Sequence, residues 1–85
     1  MKIFYTKKFE REYKKIGKDL KLKTESKENL FRKNSFDKIL KTHKLYGELE
    51  GFWSFSIDFK NRIVFEFIDK KTVFFHSIGN HNIYN

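Results

Sequence analysis

Trp53-Ser-Phe-Ser-Ile57, Arg62-Ile-Val-Phe-Glu-Phe-Ile68 and Thr72-Val-Phe-Phe-His-Ser-Ile78 are the three stretches that decide the fold of this 85-residue chain. In the first stretch, large apolar side chains alternate with serines, a pattern typical of a strand with one face toward a core. Asp58-Phe-Lys-Asn61 and Asp69-Lys-Lys71 separate the three stretches. Because turns this short join antiparallel neighbours, the pattern predicts an antiparallel meander.

The residues before the meander have helical rather than strand periodicity. Lys2-Ile-Phe-Tyr5 predicts a short first strand, and the hydroxyl of Thr6 can cap a following helix. That helix is predicted from four apolar residues spaced at four, three and four positions: Phe9, Tyr13, Ile16 and Leu20.

A second helix is predicted from Leu22 to about Lys33, and Asn34-Ser35 is a stop signal. Its expected core contacts are Leu22, Leu30 and Phe31, and a further short turn is expected to carry Phe36, Ile39 and Leu40. The whole chain, residues 1–85, then predicts one α+β domain. Two N-terminal helices pack on one face of a small, twisted, mainly antiparallel sheet of about four strands. The other face is expected to be open, with a cleft for a ligand.

The composition limits the possible functions. The chain has no Cys, which excludes disulfides, a thiol nucleophile and a thiolate metal site. No apolar stretch is long enough to cross a membrane, and the first residues lack a signal-peptide core, so a cytoplasmic location is expected. Residues 1–45 hold fifteen Lys or Arg against six acids, whereas residues 46–85 hold four against five. This basic half predicts attraction to a polyanion, although it could equally dock an acidic protein.

Four residues from position 43 onward have the chemistry for cutting RNA without a metal or other cofactor. Attack by a 2′-hydroxyl needs a base, an acid for the departing 5′-oxygen, and positive charge for the phosphorus centre. The candidate base or phosphate contact is His43, the candidate acid is His81, the phosphate clamp is Arg62, and Tyr84 can stack on a base. Lys41 and Lys44 beside His43 are candidate RNA contacts.

Each of these residues also has a structural alternative. Arg62 could be exposed after its turn or paired with one of three acids, Glu48, Glu50 or Glu66. The histidines could be solvated side chains, Tyr84 could seal a sheet edge, and Glu48 or Glu50 could be the base. His76 is interpreted as a structural residue within the sheet. Three widely spaced His residues do not predict a metal site.

The same residues resemble the RelE/ParE superfamily of bacterial type II toxins, and most closely its YoeB and YafQ-like ribonuclease branches. The matching text is His43-Lys-Leu-Tyr-Gly-Glu-Leu-Glu-Gly-Phe-Trp-Ser-Phe-Ser-Ile57, Arg62-Ile-Val-Phe and Ile78-Gly-Asn-His81. Phe31-Arg-Lys-Asn-Ser-Phe-Asp37 is similar to the family's Asn-Pro-Phe-Asp segment, with Ser35 in place of Pro. Asn82 stands where relatives often have Asp.

This resemblance implies a RelE-like fold, a cognate antitoxin partner, and mRNA cleavage, typically on the ribosome, through a 2′,3′-cyclic phosphate. It also implies that Arg62 is the phosphate-stabilising arginine and that His81 is the C-terminal catalytic histidine. His43 falls where YoeB-like members place a carboxylate base. The alternative within the superfamily is a ParE-like inhibitor of DNA gyrase without a nuclease site, which would not need two titratable histidines.

Overall fold

The computed structural model describes residues 1–80. Five strands and two helices follow one another, with 3₁₀ turns at Lys38–Leu40 and Gly47–Leu49. The elements are β1 (Lys2–Tyr5), α1 (Lys7–Lys15), α2 (Lys18–Lys33), β2 (His43–Lys44), β3 (Trp53–Ser56), β4 (Arg62–Asp69) and β5 (Thr72–Gly79). Within this described range, no helix is both long enough and apolar enough to cross a bilayer.

The sheet has the order β1-β5-β4-β3-β2, so the predicted α+β architecture is confirmed with one strand more than the four expected. The additional strand is β2, whose two residues pair with β3 and whose short length leaves almost no periodic signal. β3, β4 and β5 are antiparallel neighbours, as the short turns predict, and β2 is antiparallel to β3. β1 joins the sheet as predicted and runs parallel to β5 at the edge.

The boundary between the two helices differs from the prediction. Thr6 caps α1 as expected, because its Oγ1 accepts a hydrogen bond of 3.0 Å from the Phe9 N–H. However, α1 ends at Lys15, and α2 begins one residue after Gly17, whose extended backbone makes it the N-cap of α2. Leu20 therefore belongs to α2 rather than to the first helix.

This shifted boundary changes which side chains of α2 reach the core. Leu20, Thr24 and Phe31 are spaced by four and seven residues and lie on the buried face. Leu22 falls on the opposite side and is 58% exposed, so its expected core contact is wrong. In the next turn, Leu40 is buried as predicted, whereas Ile39 is exposed.

The hydrophobic core lies between the helices and one face of the sheet. Its centre is Phe31, which is fully buried and whose ring lies 4.8 to 5.7 Å from three other Phe rings, those of Phe55, Phe65 and Phe75. Large aromatic side chains bury much area per residue, which a chain of this length needs. The predicted inward face of β3, which carries Phe55, is therefore confirmed.

The second face of the sheet is not open at the β3–β4–β5 end, so that prediction is wrong in part. Three serines and one valine of this face are buried: Ser54, Ser56, Ser77 and Val64. Leu49 and Phe52, from the segment before β3, line a pocket with Val64 on this side. The sequence pattern could not predict this cover, because the segment has no regular period.

The C-terminal half of β5, residues 76–79, extends beyond β1 and has no neighbouring strand on that side among the described residues. The carboxylate of Glu12 accepts hydrogen bonds from the Ile78 N–H and the Ser77 hydroxyl, at 3.1 and 3.0 Å. Lys8 donates to both Glu12 and Ser77. These contacts satisfy β5 where no strand covers it, and charged side chains at an edge oppose pairing with another chain.

Candidate functional site

Arg62 is the first residue of β4 and lies opposite Ser56 of β3 and Gly79 of β5. Its Nη1 donates a 2.6 Å hydrogen bond to the Ser56 hydroxyl. Its Nε is buried and has no hydrogen-bond partner in the described part of the chain. An ionised donor that is buried without a partner is costly, so the position of Arg62 needs an explanation.

None of the carboxylates considered from the sequence neutralises Arg62. Within residues 1–80, Arg62 forms no ion pair with Glu48, Glu50 or Glu66. Glu66 instead lies 3.2 Å from His76 Nε2. Among the described residues, the guanidinium is therefore held by a neutral hydroxyl and has no carboxylate partner.

The turn between β3 and β4 fixes where Arg62 begins its strand. One oxygen of Asp58 accepts hydrogen bonds from the N–H groups of Lys60 and Asn61 and from the Asn61 side chain, at 2.8 to 3.0 Å. The other oxygen lies 3.5 Å from Lys23 Nζ on α2. Burial alone would raise the pKa of Asp58, but the hydrogen bonds and Lys23 outweigh it, and the pKa is lowered.

We expect Asp58 to make the free energy of unfolding depend on pH in the acidic range. Because its pKa is lower folded than unfolded, its contribution is present above the unfolded value of about 3.9 and is lost as pH falls through the folded value. Asp58→Ala should cost about 1–2 kcal/mol at neutral pH. Urea unfolding at several pH values, compared with Asp58→Asn, measures this. Asp69 also has a lowered pKa, so the test is the difference between parent and variant. Identical slopes below pH 4 would contradict the assignment.

Arg62 lines a pocket of about 350 Å³ together with other basic side chains. Two lysines reach this pocket, Lys27 from α2 and Lys41 from the segment before β2, and among residues 1–80 Asp58 is the single carboxylate in its lining. Three cations against one hydrogen-bonded carboxylate give the pocket a net positive charge. It therefore suits an anionic ligand.

Lys41 also connects this pocket to His43. Its backbone has φ 53° and ψ 39°, a left-handed conformation that is uncommon for a residue with a side chain. The Lys41 carbonyl lies 2.9 Å from His43 Nδ1. Since a carbonyl can only accept, Nδ1 donates in this contact, and Nε2 is the ring nitrogen that remains for a ligand. The exposed His43 is thus oriented as a proton acceptor.

His43 and Arg62 lie on the same face of the sheet. His43 is paired with Ser54, and Arg62 is paired with Ser56 two residues further along β3. Opposed residues in an antiparallel pair point to one side, and strand spacing and rise put the two Cα atoms about 12 Å apart. One phosphodiester between the two side chains can span that separation.

Other residues predicted for the site lie elsewhere. Lys44 follows His43 and points to the helix side, where its Nζ lies 5.5 Å from the centre of the Trp53 ring. His76 packs edge-on against Phe52 and contacts Glu66, in agreement with its interpretation as a structural residue. His81 and Tyr84 lie outside the described residues, so their predicted roles stay predictions.

The sequence analysis missed three residues of the pocket: Ser56, Lys27 and Phe59. Ser56 was placed on the correct face, but its contact with Arg62 depends on the register across the turn. Lys27 is one lysine among many on α2, and nothing in its spacing distinguishes it. Phe59 sits within a recognisable turn, and an apolar residue at a turn tip was the available signal.

Comparisons with known proteins identify the fold. No protein-family model and no curated protein sequence matches the chain. Several solved structures do, including YafQ from E. coli strain BL21(DE3), with a TM-score of 0.81, 17% identity, and 96% of this chain and 94% of that chain covered. A YoeB/ParE toxin from Agrobacterium tumefaciens matches with a TM-score of 0.79 and 19% identity over 95% and 99% of the two chains.

A third match is the YoeB–YefM complex from Staphylococcus aureus, with a TM-score of 0.76 and 22% identity over 95% and 97% of the two chains. At these identities the likeness concerns the fold, and it extends over nearly the whole of each chain. The resemblance seen in the sequence is confirmed at that level. The chain therefore has the RelE-like fold of the YafQ and YoeB toxins.

Proposed function

We propose that this chain is the toxin of a type II toxin–antitoxin pair and acts as a metal-independent endoribonuclease on mRNA. The observation that carries the proposal is Arg62, which has no ion pair with a carboxylate among the described residues and which lines a basic pocket. A planar guanidinium fits two phosphate oxygens, and it is most useful where charge increases in a transition state. The fold, shared with YafQ and YoeB toxins, supports the same reading.

The proposed reaction follows from the arrangement of His43 and Arg62. The free Nε2 of His43 takes the proton of a ribose 2′-hydroxyl, and the 2′-oxygen attacks the adjacent phosphorus. Arg62 stabilises the oxygens of the pentacoordinate centre while the bond from phosphorus to the 5′-oxygen breaks. An acid returns a proton to that 5′-oxygen, and His81 is our candidate from the resemblance. The products are a 2′,3′-cyclic phosphate and a free 5′-hydroxyl.

A cognate antitoxin is the proposed protein partner, and the ribosome is the proposed place of cleavage. Among the similar solved structures are a DinJ–YafQ toxin–antitoxin complex and a YoeB–YefM complex. The basic first half of this chain would attract an acidic or amphipathic antitoxin segment as well as ribosomal RNA. A cytoplasmic location follows from the proposed substrate.

We expect expression of the chain without an antitoxin to stop growth and to cut transcripts. Mapping transcript ends in cells, with and without ribosome engagement, measures cleavage directly, and plasmid supercoiling is measured in the same cells. Cut mRNA with unchanged supercoiling supports the ribonuclease. Intact transcripts with altered supercoiling would instead favour the gyrase inhibitor. EDTA added to the purified protein and naked RNA is expected to leave the chemical step unchanged.

We expect His43→Ala to slow cleavage by about 10²–10⁴-fold, the usual contribution of a positioned base. The matched control is His76→Ala, which removes a histidine of the same face whose contacts are to Glu66 and Phe52. A cleavage rate of His43→Ala within a few-fold of His76→Ala would assign the base to another residue.

A further inference from the structure

Phe59 is the most exposed large apolar side chain in the described part of the molecule, at 90%. It occupies the tip of the turn between β3 and β4, where a polar residue would cost nothing. Its ring contributes nothing to the core, and exposing it to water is unfavourable. Single exposed apolar residues are common, so its surroundings decide whether it has a role.

The turn that carries Phe59 is held firmly. The Ile57 N–H donates to the Asn61 carbonyl at 2.9 Å, which closes the hairpin around Phe59. The Asp58 carboxylate accepts hydrogen bonds from the backbone N–H groups of Lys60 and Asn61, and its contact with Lys23 ties the turn to α2. The ring of Phe59 is therefore presented at a defined place, with little backbone entropy left to lose on binding.

That place is the pocket of Arg62. Phe59 lines it together with Lys27, Lys41 and the exposed Ile39, so an apolar ring stands beside three cations. An aromatic surface next to a positively charged groove is the combination with which proteins hold single-stranded nucleic acid. Cations hold the phosphates, and the ring stacks on a base that is free of pairing.

We propose that Phe59 is the stacking platform for an unpaired base of single-stranded RNA next to the phosphate held by Arg62. This rests on the proposed ribonuclease function and specifies its substrate as a single strand. The charge of the pocket favours RNA over an apolar protein segment, because a polyanion neutralises Lys27, Lys41 and Arg62 together. Stacking accepts every base, so Phe59 contributes affinity rather than sequence choice.

The test measures binding of a short single strand of 2′-O-methyl RNA, which cannot be cleaved because its 2′-oxygens are blocked. Fluorescence anisotropy is recorded for the parent, Phe59→Ala, Phe59→Tyr and Phe59→Trp. We expect Phe59→Ala to bind about tenfold more weakly, equivalent to about 1.4 kcal/mol, while Tyr and Trp retain the parent affinity. The same strand in a duplex should show no difference between the parent and Phe59→Ala.

The matched control is Phe4→Ala, which removes an exposed Phe from β1, at the opposite edge of the sheet, and should leave binding unchanged. Moving an abasic site along the strand should find one position at which parent and Phe59→Ala bind equally. If the parent cleaves RNA and Phe59→Ala binds the RNA as tightly as the parent, the stacking proposal is wrong while the ribonuclease proposal stands. The same holds if Phe59→Ala loses antitoxin binding but keeps its affinity for RNA. A parent that neither binds nor cleaves overturns the ribonuclease as well.

Discussion

Arg62→Ala is expected to reduce the rate of RNA cleavage by about 10²–10³-fold or more, while the protein remains folded. Removing one positioned donor to a developing oxyanion costs this much in enzymes, and Arg62 supplies a full charge as well. The loss should be in kcat more than in KM, because charge on the phosphate oxygens increases in the transition state. Single-turnover cleavage of a labelled oligonucleotide measures the rate directly.

Arg62→Lys tests whether charge alone suffices. Lysine keeps the positive charge but lacks the planar fork, and it cannot both hold the Ser56 hydroxyl and face the phosphate as a guanidinium does. We expect it to recover little of the lost rate. Ser56→Ala should have a smaller effect, since it removes only the anchor of Nη1. The matched control is Lys60→Ala, which also removes one cation, from a position next to the pocket but outside its lining.

A cleavage rate for Arg62→Ala within a few-fold of Lys60→Ala would remove Arg62 from the mechanism. The folded state of each variant must be checked by its unfolding transition. Loss of Arg62 removes a buried donor without a partner in the described chain, so Arg62→Ala should not be destabilised on that account. An activity loss with unchanged stability separates a catalytic role from a structural one.

The fold was predictable because its strongest signals are local. The alternation Trp53-Ser-Phe-Ser set the two faces of β3, and short polar turns set the antiparallel order of the last three strands. Gly17 shows the limit of that reasoning. The apolar spacing from Phe9 to Leu20 continues across Gly17, but a period says nothing of a break at a residue that can cap a new helix.

The candidate site was predictable only in part, because it depends on pairings that periodicity does not determine. Arg62 and His43 were identified by their chemistry, but their common face follows from the registers of Ser56 and Ser54. β2 is two residues long, so nothing in the sequence could predict that His43 joins the sheet. From the sequence, Phe59 was predicted only as part of a turn. Its position in the same pocket as Arg62 is seen only in the structure.

Phe31→Ala is expected to have the largest effect on stability of any single change in the core. Phe31 has no exposed surface, and its ring contacts those of Phe55, Phe65 and Phe75, one from each of the last three strands. Truncating a buried Phe costs about 3–5 kcal/mol, because apolar contacts are lost and a cavity remains. A chain of 85 residues is stabilised by about 4–13 kcal/mol in total.

Phe31→Ala should therefore lose about a quarter or more of the free energy of unfolding, and at the lower bound of total stability the variant would be at the edge of unfolding. Urea unfolding followed by tryptophan fluorescence of Trp53 measures the change, with Phe59→Ala as the matched control. Phe59 is 90% exposed, so the same truncation there should change stability by less than about 0.5 kcal/mol. Equal losses in the two variants would mean that Phe31 does not join α2 to the sheet. The contrast matters for function, because the Phe31 ring on α2 packs against Phe55 of β3 and Phe65 of β4, the strands that carry Ser56 and Arg62.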